Sequence, residues 1–388
     1  ERILTVFGTR PEAIKMAPLV QALRAEAGFD SAVCVSAQHR QMLDQVLELF
    51  GIVPEFDLNL MRPGQTLSDI TSNVLGGIDR VLDAYAPDAV LVHGDTTTTL
   101  AASLAAFYRR IPVGHVEAGL RTGNIWSPWP EELNRRVTDA VTTWHFAPTA
   151  ESRQNLLDEG IDPAQVTLTG NTVIDALMRA VDAGIPIRDE KIRHAVTSGA
   201  PILLVTAHRR ENWGQPMERI GHAVARLARR HPELRVILPA HLNPIVRHCL
   251  LPPLVGLDNV IACDPLPYGE FIQVLKASSI VLTDSGGLQE EAPALGKPVL
   301  VLRERTDRPE AIEVGAARLV GTDEEIILAE ATSLLEGLAR RAPVPEPVNP
   351  YGDGAAAVRA VAGIAAFLGV GDRLPDFVSR TPARTWPL

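Results

Sequence analysis

A chain of 388 residues corresponds to two or three domains of ordinary size, with two favoured. Hydrophobic residues make up 46% and charged residues 22%, enough apolar material for buried cores and unlike a disordered chain. The 37 basic residues against 47 acidic ones leave −10, without the basic excess that a nucleic-acid backbone demands, although a small anion needs only a few local cations.

In chain order, the apolar run 3–7 reads as a buried strand, Gly8-Thr9-Arg10 as a turn, and Pro11 as an early residue of a helix reaching about Arg24. A second strand is expected at 32–35 and a helix at 41–50. Strand 89–93 is followed by Gly94-Asp95 and a Thr/Ala-rich helix over 96–108. Strand 112–116 leads into Glu117-Ala118-Gly119. The pattern restarts with strand 201–206 and a helix beginning at His208-Arg209-Arg210-Glu211 and continuing near 217–230. Further strands are expected at 236–239, 260–263, 280–283 and 299–302. Continuous apolar strands alternating with helices predict parallel sheets covered on both faces. The weak likeness between the two openings, each a strand, a sharp turn and an Arg/Glu pair, suggests two similar α/β domains. A proline-rich connector at 340–350 precedes a last helix near 355–368, and 372–388 reads as a surface tail.

Cys34, Cys249 and Cys263 are too few and too scattered for a disulfide framework or a CxxC metal site. The uncharged stretches fall short of a membrane span, and no leader pattern precedes the first strand, so no membrane insertion and a cytoplasmic location are expected.

Chemistry-bearing residues collect at the predicted strand ends, where open α/β sheets place ligands. In Thr283-Asp284-Ser285-Gly286-Gly287, a strand gives way to a helix whose unpaired N–H groups suit a phosphate; the plainer reading is a helix start capped by Ser285. Glu290 or Glu291, one turn inside, can accept from a ribose diol. Asp95 reads either as a catalytic carboxylate or as the cap of helix 96–108. His115-Val116-Glu117 has a metal-like spacing but lacks the Pro-Cys-x-x-Cys partner of a zinc deaminase, which leaves Glu117 as a candidate base. Glu131 and Glu132 are either a solvated helix start or a source of one carboxylate for a site. His208 beside Arg209 and Arg210 suits an anionic leaving group or is a basic surface turn. Arg10, Lys15, Arg303, Arg305 and Arg308, taken together, point to a cleft that holds a diphosphate. No GxGxxG or Walker lysine is present, which disfavours nicotinamide dinucleotides and P-loop chemistry.

An ordered set of motifs then carries a resemblance: Phe7-Gly8-Thr9-Arg10-Pro11-Glu12-Ala13, His93-Gly94-Asp95-Thr96, Gly114-His115-Val116-Glu117-Ala118-Gly119, Thr169-Gly170-Asn171-Thr172, His208-Arg209-Arg210-Glu211, Asp284-Ser285-Gly286-Gly287, Gln289-Glu290-Glu291-Ala292 and Asn349-Pro350-Tyr351-Gly352. Over about residues 1–370 the chain resembles the non-hydrolysing bacterial UDP-N-acetylglucosamine 2-epimerases. The resemblance implies a GT-B-like α/β fold of two Rossmann-type domains, their parallel sheets facing a central cleft. It divides the chain into 1–171, 172–352, a helix over 353–370 packing back on the first domain, and a tail over 371–388. It implies interconversion of UDP-GlcNAc and UDP-ManNAc by loss of UDP to 2-acetamidoglucal and re-addition, supplying ManNAc for surface polysaccharide. No cofactor or metal is implied, and a homodimer is.

By the same resemblance Asp95, Glu117, Glu131 and His208 are catalytic, and Arg10, Lys15, Phe271, Ser285, Gly286, Gly287, Glu291 and Arg308 bind the nucleotide sugar. A second, allosteric UDP-GlcNAc would engage Gln38, His39, Gln41, Glu132, Arg210 and His241. The family arginine before Gln65-Thr66 is replaced by Gly64, so substrate activation is either absent or falls to Arg62.

Overall fold

The first seven strands are β1 (Arg2–Phe7), β2 (Asp30–Val35), β3 (Phe56–Asp57), β4 (Ala89–His93), β5 (Val113–Val116), β6 (Trp144–Ala147) and β7 (Val166–Leu168). They form one parallel sheet in the order β3-β2-β1-β4-β5-β6-β7 in the computed structural model, which describes residues 1–36, 40–60, 62, 64–306, 308–340 and 349–379. Six more strands form a second parallel sheet: β8 (Ile202–Thr206), β9 (Arg235–Pro239), β10 (Val260–Cys263), β11 (Ile280–Thr283), β12 (Val299–Val301) and β13 (Ala317–Leu319), in the order β10-β9-β8-β11-β12-β13. Both orders reverse beside their first strand, between β1 and β4 and between β8 and β11. Those are the switch points at which doubly wound sheets bind ligands.

Two compact units carry these sheets, Glu1–Met178 with Tyr351–Val378, and Arg179–Pro350. The chain passes from the first to the second within the helix Thr172–Ala183, a continuous amphipathic segment without proline or glycine inside it. In the first unit Leu4, Val6, Val90 and Val92 pack against Ile78 and Ala102 from flanking helices. In the second, Leu203, Val205, Val236 and Leu282 pack against Ile220, Val224 and Ile327. Covering both faces of each sheet explains why the strands are apolar at successive positions, each fully buried Val, Leu or Ile contributing about 1.5–3 kcal/mol.

The last helix, Ala356–Phe367, returns to the first unit, where Phe367 stacks on Trp144 at 5.3 Å. Its first N–H groups, on Ala356 and Ala357, donate to the buried Asp175 carboxylate. The stretch expected as a surface tail is held down as far as Val378. Phe377 is buried and its N–H donates to Leu168 O at the free edge of β7, while Arg373 donates to Val166 O and Thr167 Oγ1. An open sheet edge and the apolar cluster of Ala118, Ala147, Leu156 and Val166 around the Phe377 ring are what tie it there.

Candidate functional site

In the first unit the loop after β1 is locked by Glu12. Thr9 caps the helix Arg10–Ala25, and the Glu12 carboxylate accepts N–H bonds from Gly8 at 3.0 Å and Thr9 at 2.7 Å. The same carboxylate accepts from the hydroxyls of Thr96 and Thr99, tying the loop after β4 to the loop after β1. Burial pushes the Glu12 carboxyl up despite these bonds. Gly8 is required by close approach, since a Cβ there would stand 2.2 Å from Ser36 Oγ. Arg10 and Lys15 project from this helix, both half-buried.

Thr96, not Asp95, caps the helix Thr97–Tyr108, its Oγ1 accepting from Thr99 N. Gly94 takes a φ of +66° to turn the chain, and Asp95 is thereby released to pair with Arg135 at 2.6 Å. Its carbonyl accepts from the Asn134 amide. Arg135 lies on the helix Glu131–Val141, so Asp95 docks against the first turns of the element that Glu131 opens. Glu131 Oε2 is buried and takes no hydrogen bond from a described residue.

Glu117, just past β5, has a φ of +64°, a left-handed backbone costing about 1–3 kcal/mol for a residue with a Cβ. Its Oε1 accepts from Lys15 Nζ and, at 2.9 Å, from Asn171 Nδ2; its Oε2 stands 3.4 Å from His93 Nε2 and faces Gly94. His93 is wholly buried, and desolvation pulls it down to about 3, so it faces the carboxylate as a neutral ring at physiological pH. His115 is bonded on both ring nitrogens: Nε2 meets Gly94 O at 2.7 Å and Nδ1 meets Asp139 at 2.5 Å. Asp139 is held down at about 2, against its own burial, by His115 and Arg121. The His-x-Glu pair therefore takes different partners, His115 bracing the Gly94 turn against Asp139 and Glu117 meeting Lys15 and Asn171. No group of three or more metal-ligating side chains occurs among the described residues.

In the second unit the loop after β8 is held by a buried carboxylate from β11's end. Asp284 accepts from His208 N and Arg209 N at 2.9 Å and from Asn212 Nδ2 at 3.1 Å, and its Oδ1 stands 3.3 Å from His208 Nδ1. Residues 208–211 do not begin the long helix, as the sequence suggests. A single tight turn spans Arg210–Asn212, Gly214 breaks the chain at a φ of +80°, and the helix runs Gln215–Arg230. The His208 ring stacks on His241 at 5.8 Å.

Ser285 occupies the cap position of the helix Gly286–Ala294 without a side-chain capping bond, leaving the first N–H groups to a ligand or solvent. Neither Gly286 nor Gly287 has a positive φ, and a Cβ on Gly287 would make only ordinary contacts. A Cβ on Gly286 would stand 3.3 Å from Arg209 Nη2, so Gly286 leaves room for that side chain, whereas nothing within the turn demands Gly287. Glu291 accepts from the buried Tyr268 hydroxyl at 2.8 Å, and Glu290 pairs with Arg308. Phe271 is half-buried on the helix Tyr268–Ala277. Arg303 is paired with Glu211.

Among the residues expected to form an allosteric site, Gln38 and His39 lie outside the described residues, and Gln41 is placed only by its helix, Arg40–Leu49. Glu132 is fully buried and engaged by Arg135, Arg136 and Thr122 N, whereas Arg210 and His241 are exposed. Gly64 has a φ of +78°, a conformation strained for the arginine it replaces.

Sequence comparison agrees with the geometry. Residues 21–365 match the family model described as UDP-N-acetylglucosamine 2-epimerase. The chain belongs to this family. A UDP-N-acetylglucosamine 2-epimerase of Escherichia coli K12 is 53% identical over 365 residues, 92% of this chain and 96% of the relative. The Neisseria meningitidis epimerase, solved bound to UDP-GlcNAc, superposes with a TM-score of 0.85 at 48% identity, covering 94% of this chain and all of the other. The Methanocaldococcus jannaschii epimerase, solved with UDP-GlcNAc and UDP, gives 0.76 at 31% identity over 96% of this chain and all of the other. The GT-B-like class of two parallel-sheet α/β units expected from the motifs is the one observed. Among the described residues no helix of this family member is long and apolar enough to cross a membrane.

The partners of the named side chains escaped sequence reading. Asp284, Arg135, Asn171 and Glu12 all lie in or near its motifs, but their roles depend on contacts distant in the chain, as with His208 and Asp284, which lie 76 positions apart. A carboxylate directly after an apolar strand was the available signal for Asp284.

Proposed function

We propose that the chain interconverts UDP-GlcNAc and UDP-ManNAc by eliminating and re-adding UDP. The C2 hydrogen has no adjacent carbonyl, so simple proton exchange faces a prohibitive barrier. In the elimination a carboxylate takes the C2 proton, the C–H pair becomes the C1–C2 double bond, and the C1–O pair departs on the β-phosphate oxygen. Re-addition returns UDP to C1 and a proton to the other face of C2. The path is redox-neutral overall and needs no nicotinamide.

The observation that carries this reading is the Glu117 carboxylate. It stands at the end of β5, fixed on one oxygen by Lys15 and Asn171, on a strained backbone beside the Gly94-Asp95 turn. Such placement suits a general base or acid. Asp95 and Glu131 supply the other carboxylates. In the second unit the open helix start at Ser285-Gly286-Gly287 suits the diphosphate, with His208 supporting the departing charge. Arg10, Lys15, Arg308, Phe271 and Glu291 complete the proposed contacts. A homodimer, a cytoplasmic location and a role in surface polysaccharide synthesis belong to the same proposal and rest on family likeness.

Proton NMR of UDP-GlcNAc incubated with the protein in D₂O, without acceptor or NAD, tests it. UDP-GlcNAc and UDP-ManNAc both deuterated at C2 are expected. Unchanged substrate defeats the reading, and free sugar as the sole product replaces it with a hydrolysing activity.

A further inference from the structure

Two sequence motifs, Thr169-Gly170-Asn171-Thr172 and Asn349-Pro350-Tyr351-Gly352, are not accounted for by nucleotide binding or by the carboxylates themselves. Gly170 and Asn171 of the first meet Tyr351 and Gly352 of the second within the first unit. Asn171 N donates to Tyr351 O at 2.6 Å, and Tyr351 is buried. Gly170 adopts a φ of +83°, where a Cβ would stand 3.4 Å from the Gly352 Cα; a Cβ on Gly352 would stand 3.2 Å from Asn171 O. Arg359, on the returning helix, donates to Thr169 O. The backbone of Asn171 is thereby pinned by the C-terminal return of the chain.

Its side chain has one consistent orientation. Asn171 Oδ1 accepts from Val173 N at 3.0 Å at the start of the helix Thr172–Ala183, so the other end of the amide must be the donor, and Nδ2 stands 2.9 Å from Glu117 Oε1. Lys15 donates to the same oxygen. Oε1 is thus occupied by two donors, while Oε2 faces Gly94 and the neutral His93.

We infer that Asn171 is a positioning residue for Glu117, orienting its carboxylate for the C2 proton, with Tyr351 and Gly352 holding Asn171 in register. The inference rests on the epimerase reading above. It assigns the C-terminal return a part in the chemistry beyond closing the fold. Lys15 supplies charge but swings on a flexible stem, whereas the Asn171 amide is fixed at both ends, so direction comes from Asn171.

The decisive variant is Asn171→Asp. It keeps the volume and the Oδ1 acceptor at the helix start, a position where Asp and Asn serve equally, but turns a donor toward Glu117 into a second carboxylate. At pH 8, kcat for C2 exchange should fall about 100-fold, as expected for a misplaced reacting group, with KM for UDP-GlcNAc within about threefold of wild type. Lowering the pH toward about 6 should restore part of kcat, because a proton taken up between the two carboxyls recreates a donor. Asn171→Ser also keeps a helix cap but cannot reach Glu117; its kcat should fall about tenfold or more, without recovery in acid. Should Asn171→Asp fail to fold, Asn171→Ser still reads the lost donor through its kcat and KM. Wild-type kcat in either folded variant overturns the inference, as does an equal loss in both with an unchanged pH profile, which marks Asn171 as structural only. Absence of exchange in the wild-type protein sinks the epimerase reading, and this inference with it, before any variant is compared.

Discussion

Replacing Glu117 by Gln is expected to slow C2 deuterium exchange by about 10³-fold, the scale of a lost general base, while UDP affinity stays within about twofold. The amide preserves side-chain volume and can still accept from Lys15 and Asn171 through its oxygen, so the strand end should keep its shape. What it cannot do is take a proton. Exchange by proton NMR and UDP binding by calorimetry, run on the same preparation, separate the two effects. If UDP affinity fell in parallel with exchange, Glu117 would be a binding residue and the base would have to be sought at Asp95 or Glu131. The strained φ of Glu117 argues for a chemical role, because a backbone cost of that size persists only where the surroundings enforce it.

A second large effect is expected at Asp284. Its carboxylate is fully buried and accepts from His208 N, Arg209 N and the Asn212 amide. Asp284→Ala leaves these donors facing an apolar methyl, although the Asn212 side chain keeps its bond to Leu302 O. Unsatisfied buried donors cost about 1–3 kcal/mol each, so a loss of about 3–5 kcal/mol of unfolding free energy in urea is expected after partial relaxation. Asp284→Asn retains one acceptor oxygen and should cost less than half of that. The loop carrying His208 would loosen in both variants, so kcat should fall even where the protein remains folded. An unchanged urea midpoint for Asp284→Ala would mean that the loop after β8 is held by other contacts.

Glu12 and Asp284 also give physical content to the weak likeness between the two halves of the sequence. In each unit a buried carboxylate accepts two successive backbone N–H groups from the loop after the first strand, Gly8 and Thr9 in one and His208 and Arg209 in the other. The carboxylates come from different places, the following helix in the first unit and the neighbouring strand end in the second. The sequence comparison of Glu12 with Glu211 therefore paired the wrong residues: Glu211 is exposed and bound to Arg303.

Strands such as β1, β4, β8 and β11 were legible because burial on both faces writes a continuous apolar run ended by a turn residue. The two-residue β3 and the three-residue β7 and β13 were not, since Asp57, Thr167 and Arg318 interrupt their apolar runs, whereas the equally short β12 is apolar throughout. The passage between units, Met178 to Arg179, carries no break in the chain's pattern. It occurs inside an uninterrupted helix, whereas sequence reading looks for glycine and proline. At the site, strand-end position marked Asp95 and Glu117 as noteworthy, while Asp284 stood in a motif without a role. Their hydrogen-bond partners are supplied by the topology, as with Glu117 and Asn171, which lie 54 residues apart. Only folding makes such pairs visible.

Cleavage of the bond between C1 and the diphosphate is the central claim, and positional isotope exchange tests it most directly. UDP-GlcNAc carrying ¹⁸O in that bridge is incubated with the protein and followed by phosphorus NMR alongside deuterium incorporation at C2. Elimination frees the β-phosphate to rotate, so the label should move into its non-bridging positions as the epimers equilibrate. Deuterium entering C2 while every ¹⁸O remains in the bridge would contradict the account.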